Sequence, residues 1–416
     1  MNFAEAGLLG AAGAASAYLA RSEAGMPSSL GDLSSSSGPT KAATAVVVVA
    51  GGVLATQVLF KTFFDVDPLS KWALFLRQFR GQEAKLTSSG AVDSSIDTYN
   101  KLHEAEDADS RNTAYKTLVN AYYDLATLFY EWGWGQSFHF AYRFKGESFK
   151  ESIRRHEYYL GGRLGVSSGS KIVDVGCGVG GPMRNIARFT KANVTGITLN
   201  QYQVDRGNEI NREQGLAGQC KSVQGDFMEM PFADETYDGA YAIEATCHAP
   251  DRVKIYSEVK RVLKPGAVFA CYEWCMTDNY DPTNEDHKRW KKQIEEGDGL
   301  PDICSTRDCL EAMKAAGFEI LEERDLAEDD FGAGGRPWME PLLPSWNPLS
   351  QRFQFTAVGA SILKVVLKLL EFCYLAPKGT VKVETMLLQA AFGLGGSGET
   401  HVFTPMYLMV GRKPLE

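Results

Sequence analysis

The chain has 416 residues, 44% of them apolar and 23% charged, and its 43 Lys and Arg against 52 Asp and Glu leave a net charge of −9. That length holds one catalytic domain of ordinary size with extensions, and the apolar content supplies a large core. The acidic balance argues against a nucleic-acid partner. Eight cysteines without a CxxC pair or zinc-type Cys/His spacing indicate reduced, buried thiols in a cytosolic domain, and no metal site is expected.

The N-terminal region does not read as globular. Residues 6–20 are apolar but Ala/Gly-rich and too short to assign. Residues 22–40 hold seven serines, three glycines and two prolines, the composition of a flexible tether. Between Lys41 and Lys61 lie nineteen uncharged residues, AATAVVVVAGGVLATQVLF, close to the roughly 20 needed to cross a bilayer. A single-pass helix over 42–60 is therefore expected, with a buried helix as the alternative. The run lies too far from Met1 for a signal peptide. Next comes LSKWALFLRQFR, with Trp72, Phe75, Leu76 and Phe79 on one helical face, suited to the membrane interface. Cations are denser after the span (Lys61, Lys71, Arg77, Arg80) than before it (Arg21, Lys41). The positive-inside rule thus places the part of the chain after the span in the cytosol.

Residues 81–110 read as a polar linker. Residues 111–165 read as a helical cap, with Tyr115, Leu118, Val119, Tyr122 and Tyr123 at helical spacing. From there strand and helix patterns alternate. Strands are predicted at 171–175, 193–199, 220–224, 237–243, 267–273 and 318–324, and helices at 182–190, 201–214, 251–263 and 306–316. The alternation implies an α/β fold, a Rossmann-like parallel sheet with helices on both faces. Its ligands belong at the carboxyl ends of the strands.

The stretch IVDVGCGVGGP, Ile172 to Pro182, carries the strongest local signal. An apolar strand runs into glycines at 176, 178, 180 and 181, where backbone can approach a ligand that a Cβ would block. The spacing differs from the dinucleotide G-x-G-x-x-G, and Asp174 precedes the first glycine by two residues. A carboxylate there suits a cationic amino-acid ligand, so the loop is read as binding S-adenosylmethionine through Asp174, Gly176, Cys177, Gly178, Gly180 and Gly181. A plain strand-turn-helix is the alternative. Asp226 and Phe227, after the third strand, stand where an adenine would be hydrogen-bonded and stacked, unless they form a bare turn. No acid ends the second strand, which leaves Asn200 or Gln201 for the ribose.

Upstream, residues 129–140 read FYEWGWGQSFHF, with six aromatics in twelve positions. Aromatic faces stabilise a nearby cation by about 0.5–2 kcal/mol each. Such a wall suits methylation of an alkene, which passes through a carbocation, although a packed aromatic cluster fits the composition too. YAIEATCHAPD (241–251) and YEWCMTDNYDP (272–282) follow the fourth and fifth strands and bring Glu244 and His248 to the cleft mouth.

YEWGWGQSFHF, VDVGCGVGGP, GDFMEMPF, AIEATCHAP and YEWCMTDNYD resemble, in order, the motifs of the sterol 24-methyltransferases. GDGLP (297–301) and the closing HVFTPMYLMVGRKP resemble their later blocks. The resemblance covers residues 115–416, and the anchored N-terminus resembles the plant and algal forms. It implies a seven-stranded methyltransferase sheet and a Δ24 sterol as substrate. The side-chain double bond attacks the sulfonium methyl in line. A cation forms at carbon 25, a hydride moves from carbon 24 to 25, and a proton leaves the new methyl to give a 24-methylene sterol. Tyr130, Glu131, Trp134, His139, Glu244 and His248 are the catalytic candidates. The deprotonating base stays open among Glu131, His139, Glu244 and His248. Trp132, Phe138, Phe140, Tyr272 and Trp274 are expected to line the sterol pocket. The implied layout is a tether (1–41), a span (42–60), a juxtamembrane helix and linker (61–110), a catalytic domain (111–340) and a C-terminal region closing the pocket (341–416). Within it, residues 353–376 read as an amphipathic helix that roofs the pocket or touches the membrane, the roof being favoured. The alternatives are a methyltransferase of another lipid and a non-catalytic lipid-binding protein on the same fold. A homo-oligomer is compatible with all three.

Overall fold

The computed structural model describes residues 134–372 apart from Leu349, residues 379–415, and Lys116, Tyr123, Thr127, Tyr130 and Glu131 upstream. The expected span at 42–60, the stretch at 71–80, the linker and, apart from those five residues, the part of the helical cap before Trp134, Trp132 included, lie outside the described residues; of the rest of the cap only Phe149–Arg163 is a helix, and residues 134–148 are not helical. Among the described residues no helix is long and apolar enough to cross a membrane.

Seven strands form one sheet. They are β1 (Lys171–Val175), β2 (Asn193–Thr198), β3 (Cys220–Gln224), β4 (Tyr237–Ile243), β5 (Leu263–Met276), β6 (Glu319–Asp325) and β7 (Phe403–Arg412), in the order β3-β2-β1-β4-β5-β7-β6. β1 pairs in parallel with both β2 and β4, so the chain reverses its direction of travel across the sheet at β1 and opens a cleft at their carboxyl ends. The helices before and between these strands are α1 (Phe149–Arg163), which precedes β1, α2 (Gly181–Thr190), α3 (Gln201–Glu213), α4 (Arg252–Val262), α5 (Glu285–Asp298) and α6 (Thr306–Ala315). All but α2, which starts at Gly180, begin at a side-chain cap. Ser148 and Glu151 form a capping box on α1, Asn200 and Asp251 cap α3 and α4, and Ser305 with Asp308 caps α6.

The sheet is mixed rather than parallel. β7 runs antiparallel between β5 and β6. Nine of its ten positions are buried, so it lacks the polar alternation of a half-exposed strand, and Pro405 argues against a strand in sequence. β6 is one edge of the sheet and β3 the other, and β6 carries the charged residues Glu319, Glu322, Glu323 and Arg324 that disfavour edge pairing. β5 begins at Leu263 and ends at Met276, longer at both ends than the strand expected over 267–273.

The connection from β6 to β7 carries α7 (Ala357–Phe372) and α8 (Thr380–Glu399). α8 packs on α5 through small residues. A Cβ at Gly297 would overlap Ala390, and side chains at Gly393 or Gly396 would collide with Trp290 or its backbone. This seam fixes the end of α5, where Asp298 and Gly299 reach the cleft region.

Candidate active site

An open cleft lies over β1 and β4, lined by Gly176–Val179 on one side and Glu244, Ala245 and His248 on the other. Gly176 has φ +83°, and a Cβ there would run into Ala245. The turn brings the two strand ends into contact only because this residue has no side chain. The amides of Gly176 and Cys177 both donate to the Ile197 carbonyl at 3.0 Å, and Gly180 donates to Cys177. The Cys177 side chain is buried beneath the loop, near Ser222. Gly180 and Gly181 do not line the cleft. Gly180, at φ +77°, caps α2, and a Cβ on Gly181 would strike the Gln136 carbonyl. The second glycine of this pair exists to let the Gln136–Phe138 segment cross the loop.

Asp174 is buried at the end of β1, and burial pushes its carboxyl up to about 7. Its Oδ2 makes no well-formed hydrogen bond among the described residues, the buried Tyr241 hydroxyl being close enough to act on it, and Asp174 is not itself part of the cleft lining. A buried carboxylate oxygen short of a partner, two residues before a side-chain-free loop that does line the cleft, fits the ammonium of an amino-acid ligand. Phe227 also lines the cleft. The residues present therefore fit S-adenosylmethionine.

Three cofactor expectations meet different placements. Asn200 accepts from the Gln203 amide at 3.1 Å as the α3 cap, and Gln201 is exposed and bonded to Asp205. Neither lines the cleft. That position belongs to Thr198, Leu199 and Gln203, with the Thr198 hydroxyl 2.8 Å from Gln203. Asp226 spends one oxygen on the Met228 amide and the other on Lys116, 2.7 Å away, and leaves the cleft face to Phe227.

The aromatic segment divides in two. Tyr130 and Phe138 pack at 5.2 Å, Tyr130 donates to Asp298 at 3.2 Å, and Phe138 lines the cleft. Trp134 and Phe140 turn away from it. Trp134 packs edge-on to Phe140 and Phe149, and Phe140 lies against Trp274 and Trp338 in a core cluster that also takes in Phe403. Glu131 is buried in an ion pair with Arg206 at 3.2 Å, outside the cleft lining. Tyr272 is core as well. It stacks on His156 at 3.8 Å and donates to the His156 carbonyl, because it faces α1 rather than the ligand side.

His139 and Glu244 do line the cleft, and a network of partners holds each. Both His139 nitrogens face acceptors, Glu157 Oε1 at 3.1 Å and the Phe140 carbonyl at 2.9 Å. The imidazolium is the form that satisfies both. Burial alone would lower its pKa, but the Glu157 hydrogen bond and charge outweigh it and raise the value. Glu157 was hidden in the charged helix pattern ESIRRHEYY. It also accepts from Ser137 and Asn185, each at 2.7 Å. Glu244 sits at φ +51° just past β4. One oxygen accepts from the Phe140 amide at 2.8 Å and the other from the Trp274 indole at 2.7 Å, and burial pushes its carboxyl up to about 8. His248 is opposite in character: burial lowers it to about 4, so it is neutral. Its Nδ1 faces the Gly299 carbonyl at 3.3 Å, leaving Nε2 to accept from the Tyr123 hydroxyl at 3.0 Å. Tyr123, read in sequence only as a helix-face residue, lines the cleft too.

Residues 173–271 match the family described as Methyltransferase domain, and residues 350–415 the one described as Sterol methyltransferase C-terminal. The chain is 52% identical over 337 residues to cycloartenol-C-24-methyltransferase 1 of Oryza sativa, covering 80% of this chain and 96% of that protein. It is 46% identical over 317 residues to the sterol 24-C-methyltransferase of Eremothecium gossypii, covering 75% and 84%. Among solved structures, the cyclopropane synthase MmaA2 of Mycobacterium tuberculosis superposes with a TM-score of 0.55 at 16% identity, covering 72% of this chain and 98% of that one. The geranyl diphosphate methyltransferase complex with GPP and sinefungin gives 0.52 at 18%, covering 72% and 99%; at these identities the likeness is one of fold alone. With the sheet, the cleft and these relatives together, the chain belongs to the S-adenosylmethionine-dependent sterol 24-C-methyltransferases.

Proposed function

We propose that this enzyme methylates carbon 24 of a Δ24 sterol side chain and releases a 24-methylene sterol. The observation that carries the reading within this chain is Glu244, a buried carboxyl held by two donors at the mouth of the cleft. S-adenosylmethionine supplies an electrophilic methyl carried on a sulfonium. Asp174 would hold its ammonium and Phe227 would face its adenine, while the Gly176–Val179 backbone leaves room for the chain between them. Phe138 lines the cleft, and its ring would stand beside the sterol side chain where positive charge grows. Glu244 serves that charge in two ways. Its ionised form stabilises a cation more strongly in a dry cleft than in water, and at a value near 8 it is basic enough to take the proton that leaves the new methyl.

Two of the other base candidates suit the task less well. His139 already carries its proton, and Glu131 is spent on Arg206. Neutral His248 stands behind Tyr123 as a second acceptor. Incubating the purified protein with methyl-labelled S-adenosylmethionine and cycloartenol tests the activity. The reading requires label in a 24-methylene product, and label in a phenol or fatty acyl chain instead would replace it.

The same reading places the protein on the endoplasmic reticulum membrane through residues 42–60, with the catalytic domain in the cytosol. It rests on the length of the apolar run and the excess of cations after it. Deleting residues 1–62 is expected to free the protein from alkali-washed membranes while turnover of detergent-dispersed sterol persists.

A further inference from the structure

The helix α7 presents an apolar face to the outside. Val358, Ile362, Val365, Val366, Leu369 and Phe372 are between 44% and 80% exposed. At 100° per residue they fall within an arc of roughly 120° on one side of the helix. The opposite side is the one the fold uses. Gly359 is buried, Leu363 and Leu367 are half-buried, and Glu371 accepts from the Val381 amide at 2.8 Å at the start of α8. None of the six lines the cleft.

We infer that this face of α7 lies in the surface of a lipid bilayer, as an attachment separate from residues 42–60. Its chemistry selects lipid over protein. All six side chains are hydrocarbon with no hydrogen-bonding group, whereas the centre of a protein interface mixes Tyr, Trp and Arg with its apolar side chains. Lys368 borders the stripe on one edge. It is exposed, and its long stem can follow the apolar surface while the ammonium group reaches lipid phosphates. Lys364 lies on the opposite side, within electrostatic reach of Glu384. The loop leading toward α7 adds Trp346, 73% exposed, a side chain suited to the headgroup level. A helix held this way lies in the membrane plane, which its 16 residues fit and a perpendicular span of about 20 does not.

The inference goes beyond the sterol reading, and its test does not depend on that reading. The full chain is bound to vesicles of phosphatidylcholine with added phosphatidylserine, and a diazirine that partitions into hydrocarbon is photolysed. Labelled peptides are then mapped by mass spectrometry. Label is expected on Ile362, Val365, Val366, Leu369 and Phe372 and not on Leu363 or Leu367. The Val365→Glu/Leu369→Glu variant should lose label across α7 while label elsewhere persists. Val365→Ser/Leu369→Ser repeats the test with a gentler change should the first fail to fold. The inference is overturned if α7 stays unlabelled while other segments react. It is also overturned if lipid-free cross-linking joins this face to residues 42–80 or to a second copy. Methyl transfer adds a second readout. The variants should keep wild-type rates on detergent-dispersed sterol and lose several-fold on sterol embedded in vesicles. No product with either form would instead sink the sterol reading and leave the labelling result intact.

Discussion

Glu157 Oε1 stands 3.1 Å from His139 Nε2, and both side chains are buried, so the ion pair sits behind the wall of the cleft rather than in water. His139 has its pKa raised by this partner. Its contribution to stability is therefore complete below the ordinary value near 6.5 and fades as pH rises through the folded value. Glu157→Gln should cost about 3–5 kcal/mol, as expected when one member of a buried pair is removed, with the largest penalty at pH 6 and below. Unfolding at several pH values, with NMR titration of the His139 ring, checks this. A His139 that titrates alike in both proteins would contradict the pairing.

The Asp174 carboxyl, pushed up to about 7 by burial, should make cofactor affinity depend on pH. A cationic ligand prefers the carboxylate, so binding tightens as pH rises toward 7. It weakens again as the ligand's own amine, near 7.7–8.0 for an ordinary α-amino group, loses its proton at about that pH. Calorimetry from pH 5.5 to 9 should trace a peak. Asp174→Asn should abolish the acid limb and weaken binding at pH 7.5 by at least about tenfold, the equivalent of 1.4 kcal/mol. Gly176→Val should lose binding altogether, because the strained loop would be driven off Ala245.

Glu244→Gln keeps the shape of the side chain but turns an NH2 toward either the Phe140 amide or the Trp274 indole, both donors. We expect kcat to fall by about a hundredfold, the scale of a lost general base, with both KM values within about threefold. If kcat changes by less than threefold, the proton leaves through Tyr123 and His248, and Tyr123→Phe should then give the larger loss.

The two halves of the aromatic segment should separate in experiment. Phe138→Leu keeps apolar bulk but removes a π-face at the cleft, and should lower kcat about tenfold, or roughly 1.4 kcal/mol. Trp134→Leu removes a core ring and its hydrogen bond to the His139 carbonyl. It should destabilise the fold by about 2–4 kcal/mol, with kcat per folded molecule nearly unchanged. Thermal unfolding alongside steady-state kinetics distinguishes the two.

Much of this was legible in sequence where chemistry and period agree. The strands β1 to β4 follow from the alternation of short strand and helix patterns, although β3, CKSVQ, is largely polar, and the glycine turn announces itself by following the apolar side chains of β1. What stayed hidden depends on packing between distant segments. Glu157 lies among Arg154, Arg155 and Glu151, indistinguishable from a solvated helix charge until α1 is laid against the cleft wall. Tyr272 and Trp274 share one face of β5, yet Trp274 reaches Glu244 while Tyr272 falls against His156, a difference of position along the strand that no pattern encodes. Asn200 could be a ribose ligand or a helix cap, and the backbone amide of Gln203 decided it.

Gly181 sits in the cofactor motif, but its smallness is demanded by Gln136, from the segment that carries Phe138. A methyltransferase loop transplanted here with even an alanine at that position would leave the cofactor's own contacts in place and still push the substrate wall outward. Such a chimera should bind cofactor normally and mishandle the sterol. Part of this enzyme's substrate preference is thus written into what looks like its most generic stretch, so loop exchange between relatives should alter specificity before it alters cofactor use.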